Sequence, residues 1–436
     1  MPSGFEKNYM EAIFINPAKE KWSDLVKRPA FNYASLEAIV TPILADVKAN
    51  GDAAVKKYAA QFDKASLNDL LVSAAEIQQA PALVSEELKA AIQLAKENIQ
   101  RFHESQKETI QKVTTTEGVL CWRKSVAIQK VGLYIPGGTA PLFSTLLMLA
   151  IPAQIAGCSQ VVVCTPSNAD GTVNPVILYT AQLLGIQAIY KVGGVQAIAA
   201  MAYGTESIPA VSKIFGPGNQ YVTAAKQLVN REGIAIDMPA GPSELAVYAD
   251  ETAIPAFVAS DLLSQAEHGP DSQVLLVASS KKMLEAVKDE VLAQLADLPR
   301  KEVAALALQN SRLIVIEDSD VAFDFLNEYA AEHLIIASEE ALSLSEKVIN
   351  AGSVFLGNYS PESAGDYASG TNHTLPTNGY AKAYSGVSVD SFVKKITYQQ
   401  LSKEGIQNIG PSVELMAAAE GLQAHKNAIT LRLQSL

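Results

Sequence analysis

Short segments with the character of buried strands alternate with helix-like segments through most of this chain after residue 125. Two of the strand-like segments are QVVVCTP, which begins at Gln160, and AIYKVG, which begins at Ala188. Between them, NPVILYTAQLLG has the apolar spacing of a helix. Strands that alternate with helices in this way are typical of a parallel sheet covered on both faces. The alternation therefore places the chain in the α/β class.

Two series of this kind follow one another. The first runs from residue 125 to the segment IAIDMPAG, and the second runs from a helix-like segment at 254–267 to the strand-like SVFLG. Residues 34–62 and 74–108 are predicted to be helices, and the chain from 389 onward is predicted to be helical again. We therefore predict an α/β protein with two Rossmann-like parallel-sheet domains and helical N-terminal and C-terminal segments.

Charge and hydropathy argue against several kinds of partner. The formal net charge is -12 and the basic residues are not clustered, so we expect no binding to nucleic acid. The longest apolar stretch, LFSTLLMLAIPA, is shorter than the ~20 residues that a membrane span requires, so we expect no membrane insertion. The N-terminal residues have no signal-peptide pattern, and the three cysteines form no CxxC pair. Together these features predict a cytoplasmic protein.

The loops after the strands of the first series are polar or rich in glycine, as in YIPGGTAP, VGGVQA and FGPGNQY. Ligands of parallel sheets bind beyond the carboxyl ends of the strands, where glycine allows a close approach and helix N-termini favour a pyrophosphate. However, no GxGxxG sequence is present, and no acidic residue ends the next strand to hold a ribose. A nucleotide-binding edge and an ordinary set of turns are therefore both open interpretations.

Glu332 and His333 stand side by side at the start of the strand-like segment HLIIAS. One interpretation is a solvated helix end. The other is a pair that transfers protons to and from a bound substrate, since histidine, with a reference pKa of ~6.5, can accept a proton near neutral pH.

Gln265 and His268 lie three residues apart at the end of a predicted helix, in LLSQAEHGPD. This spacing suits a metal site, and it equally suits a helix terminus where the imidazole meets free carbonyl groups. His103 lies among charged neighbours and is expected to be a surface residue. Because no HExxH sequence occurs, any metal site must collect its ligands from distant segments.

Two further hypotheses concern other kinds of protein. Aldehyde dehydrogenases use a cysteine thioester, but Cys121, Cys158 and Cys164 have no sequence neighbour that would lower a thiol pKa. Core packing accounts better for all three cysteines. The other hypothesis is a non-catalytic nucleotide-binding protein with two α/β domains, in which Glu332 and His333 have no chemical role.

A set of segments, taken together, resembles the histidinol dehydrogenase family from about residue 20 to near the C-terminus. The segments are LYIPGG, VGGVQAIAAMAYGT, FGPGNQYV, DMPAGPSE, DLLSQAEHGPDSQ, AAEHL, GDYASGTNHTLPT and AAAEGLQAH. The resemblance implies a zinc-dependent homodimer of histidine biosynthesis that oxidises L-histidinol to L-histidine in two NAD-dependent steps through histidinaldehyde. A related zinc- and NAD-dependent amino-alcohol or aldehyde dehydrogenase is the alternative.

The resemblance also implies roles for particular residues. The expected zinc ligands are Gln265, His268, Asp366 and His425. The expected acid–base pair is Glu332 and His333, in which His333 takes the alcohol proton and Glu332 activates water. Expected substrate contacts, besides the zinc ligands and His333, are Ser243 and Glu420. Expected cofactor contacts are Tyr134, Gln196 and Asn219, and His373 is a further candidate on the substrate side.

On the same basis we divide the chain into four parts. These are an N-terminal segment (1–32), a first Rossmann-like domain (33–133 plus 243–387), a second Rossmann-like domain (134–242) and a C-terminal helical tail (388–436). The first domain is expected to provide most zinc and catalytic residues, and the second is expected to bind the cofactor. The tail is expected to reach into the partner subunit.

Overall fold

The computed structural model describes residues 12–29, 33–137, 141–239 and 241–436. It confirms the predicted α/β class with two parallel sheets, and it adds a small antiparallel sheet. The chain begins with strand β1 (Ile13–Ile15), a 3-10 turn (Lys19–Lys21) and helix α1 (Trp22–Leu25). β1 pairs with the larger parallel sheet, so the predicted N-terminal segment (1–32) contributes a strand to that sheet. Residues 1–11 and 30–32 of that predicted segment lie outside the described part of the chain.

Three helices follow: α2 (Tyr33–Tyr58), α3 (Ala74–Gln79) and α4 (Glu86–Glu104). Gly51, with a φ of 51°, interrupts α2, and a π-helical turn (Ala59–Asp63) continues it. The Ser85 hydroxyl accepts the backbone N–H of Leu88 and caps α4, so the predicted helix over 74–108 is in fact divided.

Helices α2 and α4 pack on the smaller parallel sheet. Val40 of α2 lies in one core cluster with Tyr134, and Ile99 of α4 lies in another with Leu133. The sequence-based division placed these helices with residues 243–387, and that grouping is wrong. The reason is that each helix buries its apolar face against the other sheet, a choice that helical spacing alone does not specify.

The first series forms the smaller sheet, after an antiparallel hairpin of β2 (Lys112–Thr116) and β3 (Val119–Ala127). Its strands are β4 (Lys130–Tyr134), β5 (Gln160–Thr165), β6 (Ile189–Lys191), β7 (Lys213–Phe215) and β8 (Ala235–Ile236). Its helices are α5 (Phe143–Ala156), α6 (Pro175–Leu183), α7 (Gly194–Tyr203) and α8 (Gln220–Arg231). The strands are parallel in the order β6-β5-β4-β7-β8, which is the order of a dinucleotide-binding half with β4 as its first strand.

The second series forms the larger sheet. Its strands are β9 (Glu244–Ala249), β10 (Gln273–Ala278), β11 (Arg312–Val315), β12 (His333–Ala337) and β13 (Ser353–Leu356). Its helices are α9 (Pro255–Ala266), α10 (Lys281–Asp297), α11 (Lys301–Gln309), α12 (Ser319–Tyr329), α13 (Ala341–Ser345) and α14 (Glu362–Tyr367). The strands are parallel in the order β1-β11-β10-β9-β12-β13. Since both faces are covered, β9, β10 and β12 are buried along their whole length.

The chain ends with β14 (Val393–Leu401), α15 (Lys403–Ala419) and α16 (Gln423–Gln434). Strand β14 pairs antiparallel with β3 along its full length, so the prediction of a helical tail over 388–436 is wrong for this segment. Its β-branched and aromatic residues, in VKKITYQQL, favour a strand once a partner strand is present. No helix in the described part of the chain has both the length and the apolar character needed to cross a membrane.

The two parallel sheets approach each other with opposite edges. A cavity of about 290 Å³ is lined by Gly216 and Asn219, which follow the carboxyl end of β7. The same cavity is lined by Ser243 and Glu332, which immediately precede β9 and β12. The smaller sheet therefore presents its carboxyl edge to this cavity and the larger sheet presents its amino edge.

A buried ion pair fixes the first residue of β9. The Arg28 guanidinium donates two hydrogen bonds of 2.8 Å to the Glu244 carboxylate and one of 2.6 Å to the Tyr329 carbonyl oxygen. Only 2% of the Glu244 side chain is exposed. Two parallel bonds from a planar guanidinium are the geometry that compensates best for burying a carboxylate.

We expect Arg28→Ala to lower the free energy of unfolding by about 3–5 kcal/mol, because it leaves the buried Glu244 carboxylate without its cation. Lys27→Ala is the matched control, since Lys27 pairs with Asp24 in an exposed ion pair. Denaturant unfolding followed by circular dichroism measures both. If Arg28→Ala changes the midpoint as little as Lys27→Ala does, the Arg28–Glu244 pair does not anchor this region.

Candidate active site

Glu332 and His333 lie inside the protein at the amino end of β12. Their exposed fractions are 6% and 4%, and α12 already ends at Tyr329, so the interpretation as a solvated helix end is wrong. β12 pairs with β9 in parallel, which brings both residues against the main chain of Glu244. The Glu244 N–H donates to Glu332 Oε2 at 2.9 Å, and His333 Nδ1 lies 3.2 Å from the Glu244 carbonyl oxygen.

The contact with the Glu244 carbonyl oxygen assigns the two ring nitrogens of His333. A carbonyl oxygen can only accept a hydrogen bond, so Nδ1 is the nitrogen that bears the proton in the neutral ring. His333 Nε2 is buried and has no hydrogen-bond partner among the described residues. In the neutral ring, Nε2 is therefore the nitrogen that can accept a proton from a ligand.

Three carboxylates surround the imidazole of His333. Glu332 lies 3.7 Å and Glu362 3.9 Å from its Nδ1, and Asp366 lies 3.7 Å from its Nε2. Burial alone would lower the pKa of His333, but Glu362, Glu332 and Asp366 together raise it to about 10. Burial raises the pKa of Glu332 to about 8 and that of Glu362 also to about 8. A carboxyl group whose pKa lies near neutrality can both accept and release a proton.

Three of the expected zinc ligands lie on elements that border this pair. Gln265 is fully buried on α9, His268 follows the end of that helix, and Asp366 is on α14. Burial lowers the pKa of His268, so its imidazole is neutral and able to bind a metal ion. For Asp366, burial would raise the pKa, but the adjacent His333 holds it below its usual value as a carboxylate. A neutral imidazole and a carboxylate are both ligand types that zinc accepts.

Glu362 is a site residue that sequence reasoning missed. His333, Glu362 and Asp366 each offer a ligand atom, and these atoms lie within 4.8 Å of one another. Glu362 is 1% exposed at the start of α14. The spacing of Glu362 and Asp366, four residues apart in PESAGD, could have identified it, since residues i and i+4 share a helix face.

The 290 Å³ cavity contains several predicted substrate-side residues. Ser243, His268, Glu332 and His373 line it together. Burial lowers the pKa of His373, whose Nδ1 lies 2.9 Å from the Asp366 carbonyl oxygen and whose Nε2 lies 3.2 Å from Thr145 Oγ1. His373 therefore connects the loop after α14 to the smaller sheet's helix α5.

A second cavity, of about 710 Å³, lies at the carboxyl edge of the smaller sheet and is lined by Tyr134, Gln196 and Asn219. The Tyr134 hydroxyl accepts the backbone N–H of Gly194 at 3.1 Å, and burial raises the pKa of Tyr134 to about 12. A Cβ on Gly216, whose φ is +125°, would collide with the Tyr134 carbonyl oxygen, so only glycine permits this loop. Asn219 caps α8 through its side-chain oxygen and lines both cavities.

Other sequence predictions lie away from this region. Glu420 and His425 are exposed at the junction of α15 and α16, and neither is among the described residues that line the two cavities. Neither cavity is lined by a cysteine of the described chain, and burial raises the pKa of Cys158 to about 11. The prediction that His103 is a surface residue is wrong. It is fully buried, and both ring nitrogens have partners there. Nδ1 lies 2.8 Å from the Ile99 carbonyl oxygen, and Nε2 lies 3.3 Å from the Asn372 amide.

Comparison with known proteins identifies a family that covers nearly the whole chain. The family model described as histidinol dehydrogenase matches residues 26–433. The chain belongs to the histidinol dehydrogenase family. It is similar to the histidinol dehydrogenase of Bacteroides thetaiotaomicron, at 62% identity over 98% of this chain and 100% of that protein. It is also similar to the enzyme of that name from Escherichia coli, at 53% identity over 96% of both chains.

The same family is represented among solved structures. The crystal structure of histidinol dehydrogenase from Elizabethkingia anophelis superimposes with a TM-score of 0.96 and 56% sequence identity. That match covers 98% of this chain and 99% of the other. The superposition therefore extends over both parallel sheets of this chain.

Proposed function

We propose that this protein oxidises L-histidinol to L-histidine in two NAD-dependent steps through histidinaldehyde, as a step of histidine biosynthesis. The observation that supports this most is the buried Glu332–His333 pair, which lies where the edges of the two sheets meet. An alcohol that becomes a carboxylate must lose a hydroxyl proton and later gain a water oxygen. Two adjacent proton acceptors of different chemical type meet these two needs.

In the first step, His333 Nε2 accepts the hydroxyl proton of the substrate as the carbinol carbon loses a hydride. The contact between Nδ1 and the Glu244 carbonyl oxygen holds the ring in the tautomer that leaves Nε2 able to accept a proton. NAD would supply the hydride-accepting chemistry, and Tyr134, Gln196 and Asn219, which line the 710 Å³ cavity, would hold it there. Asn219 lines both cavities, so the two reactants can meet beside it.

In the second step, water adds to the aldehyde and gives a gem-diol, because an aldehyde has no hydroxyl proton to lose. We assign the removal of the water proton to Glu332, whose pKa burial raises to about 8. Once His333 has released the proton of the first step to solvent, it accepts a hydroxyl proton of the gem-diol as the second hydride leaves to a second NAD. A buried site also keeps the reactive aldehyde from solvent between the two steps.

Gln265, His268 and Asp366 would hold zinc, together with His425 of a second subunit. When bound, the zinc would fix the imidazole and amino nitrogens of the substrate, and its positive charge would oppose protonation of His333. Ser243 lines the 290 Å³ cavity, and Glu420 lies between α15 and α16, close in sequence to His425. We propose that both side chains contact the substrate. This assignment implies a homodimer with active sites shared between subunits, and we propose that the homodimer is cytoplasmic.

The proposed function is tested by the amount of NADH formed for each L-histidinol consumed. We expect about two NADH per substrate, because each of the two oxidations releases one hydride. Absorbance of NADH and chromatography of the product measure the ratio. A ratio of one with accumulating aldehyde would contradict the four-electron oxidation and favour a related amino-alcohol dehydrogenase.

The shared site is tested by mixing two inactive variants, His333→Asn and His425→Asn. Each site would combine His333 of one subunit with His425 of the other, so a mixed dimer contains one site with both defects and one intact site. Half of randomly reassorted dimers are mixed, and refolding the variants together should therefore restore about a quarter of the wild-type activity. If His425 serves its own subunit, every site retains a defect and the mixture stays inactive.

A further inference from the structure

The wall of the 710 Å³ cavity contains an unusual concentration of polar groups without partners. Four described residues that line it have buried side-chain atoms with no hydrogen-bond partner: Asp63, Thr165, Ser167 and Gln196. Gln196 is 1% exposed, and both its amide oxygen and its amide nitrogen are unpaired. Buried polar atoms are paired in the great majority of cases, so a group of exceptions on one cavity wall indicates a polar ligand.

Asp63 is the charged member of this group. It ends the π-helical turn after α2, and α2 packs on helices α7 and α8 of the smaller sheet. Burial raises the pKa of the Asp63 carboxyl. Tyr134, at the end of β4, has a pKa raised by its own burial and further by the negative charge of Asp63. A carboxylate in this position is costly unless a ligand donates hydrogen bonds to it.

The topology specifies which part of a dinucleotide would lie nearby. In a dinucleotide-binding half, an acidic residue at the end of the second strand accepts hydrogen bonds from the adenosine ribose hydroxyls. Here β5 is the second strand, and it ends at Thr165, which cannot replace a carboxylate. Helix α2 instead brings Asp63 to the same cavity from the segment before the sheet.

We propose that Asp63 accepts hydrogen bonds from the ribose hydroxyls of the adenosine half of the cofactor, and that it selects NAD over NADP. This inference rests on the proposed NAD-dependent function. The hydroxyls of Thr165 and Ser167 line the same wall and add neutral hydrogen-bonding groups. Ile39, Ile43 and Phe62 supply an apolar surface for the adenine ring.

The charge of the wall also disfavours a 2′-phosphate. No Lys or Arg is among the described residues that line this cavity, and NADP-binding sites usually provide such a cation. The Asp63 carboxylate would in addition repel the phosphate directly. One residue therefore accounts both for binding the ribose and for rejecting its phosphorylated form.

The test compares cofactor choice in the wild-type enzyme and in Asp63→Asn, with Asp69→Asn as the exposed control. For NAD, we expect Asp63→Asn to lower kcat/KM about 10- to 100-fold, mainly through KM, because it removes charge-assisted hydrogen bonds. For NADP, kcat/KM should fall much less or rise, since a repulsive charge is lost. NADH and NADPH fluorescence titrations without substrate should show the same change in preference, independently of turnover.

Several outcomes decide the proposal. Equal changes for NAD and NADP, or no change, would remove Asp63 from cofactor selection while leaving the proposed NAD dependence intact. Failure of the wild-type enzyme to bind NADH would instead overturn the proposed cofactor and, with it, this role of Asp63. Circular dichroism checks folding, and Asp63→Ser provides a second variant that removes the carboxylate with a different side chain.

Discussion

The parallel pairing of β12 with β9 is the constraint on which the candidate site depends. It places the carboxylate of Glu332 on the N–H of Glu244 and the imidazole of His333 beside the carbonyl of the same residue. A shift of one residue in this register would turn the His333 side chain to the other face of the sheet and break both contacts with the Glu244 main chain. The buried Arg28–Glu244 pair stabilises the start of β9, so the N-terminal segment contributes to the position of the Glu332–His333 pair.

The two parallel sheets contribute residues to the site from opposite edges, one from its carboxyl edge and the other from its amino edge. The smaller sheet follows the general rule and offers its carboxyl edge, with Gly194 and Asn219 at helix N-termini. The larger sheet offers its amino edge, where Ser243, Glu332 and His333 begin or precede strands. The smaller cavity lies between these edges and Asn219 lines both cavities, an arrangement that suits hydride transfer between a cofactor and a substrate.

Periodicity predicted the two parallel sheets, whereas the family resemblance was the basis for naming Ser243 and Asn219, which line the smaller cavity. Prediction from the sequence failed where contacts distant in sequence decide the outcome. The strand over 393–401 depends on pairing with β3, and the burial of His103 depends on Asn372 in a loop far along the chain. Asp63 could not be recognised as a cavity residue, because only the packing of α2 on the smaller sheet brings it there.

The roles predicted for Glu420 and His425 depend on contacts between subunits, which the sequence and fold of one chain do not specify. Both residues are exposed in the single chain, and the proposed site would require a second subunit, whose contacts one chain does not contain. The family resemblance, which assigned them to the zinc and the substrate, was the only basis for including them. Glu362 could have been recognised from its helical spacing with Asp366, but its proximity to His333 depends on the fold.

The central claim is that Glu332 and His333 have separate tasks in one buried site. The most direct measurement compares the two half-reactions in Glu332→Gln, starting from histidinol and from histidinaldehyde, with the exposed Glu328→Gln as control. Aldehyde oxidation should fall by ~10²–10⁴, because only this half-reaction requires activated water, and alcohol oxidation should fall much less. An equal fall in both half-reactions would contradict the account, since it would show that Glu332 is not specifically the base for water.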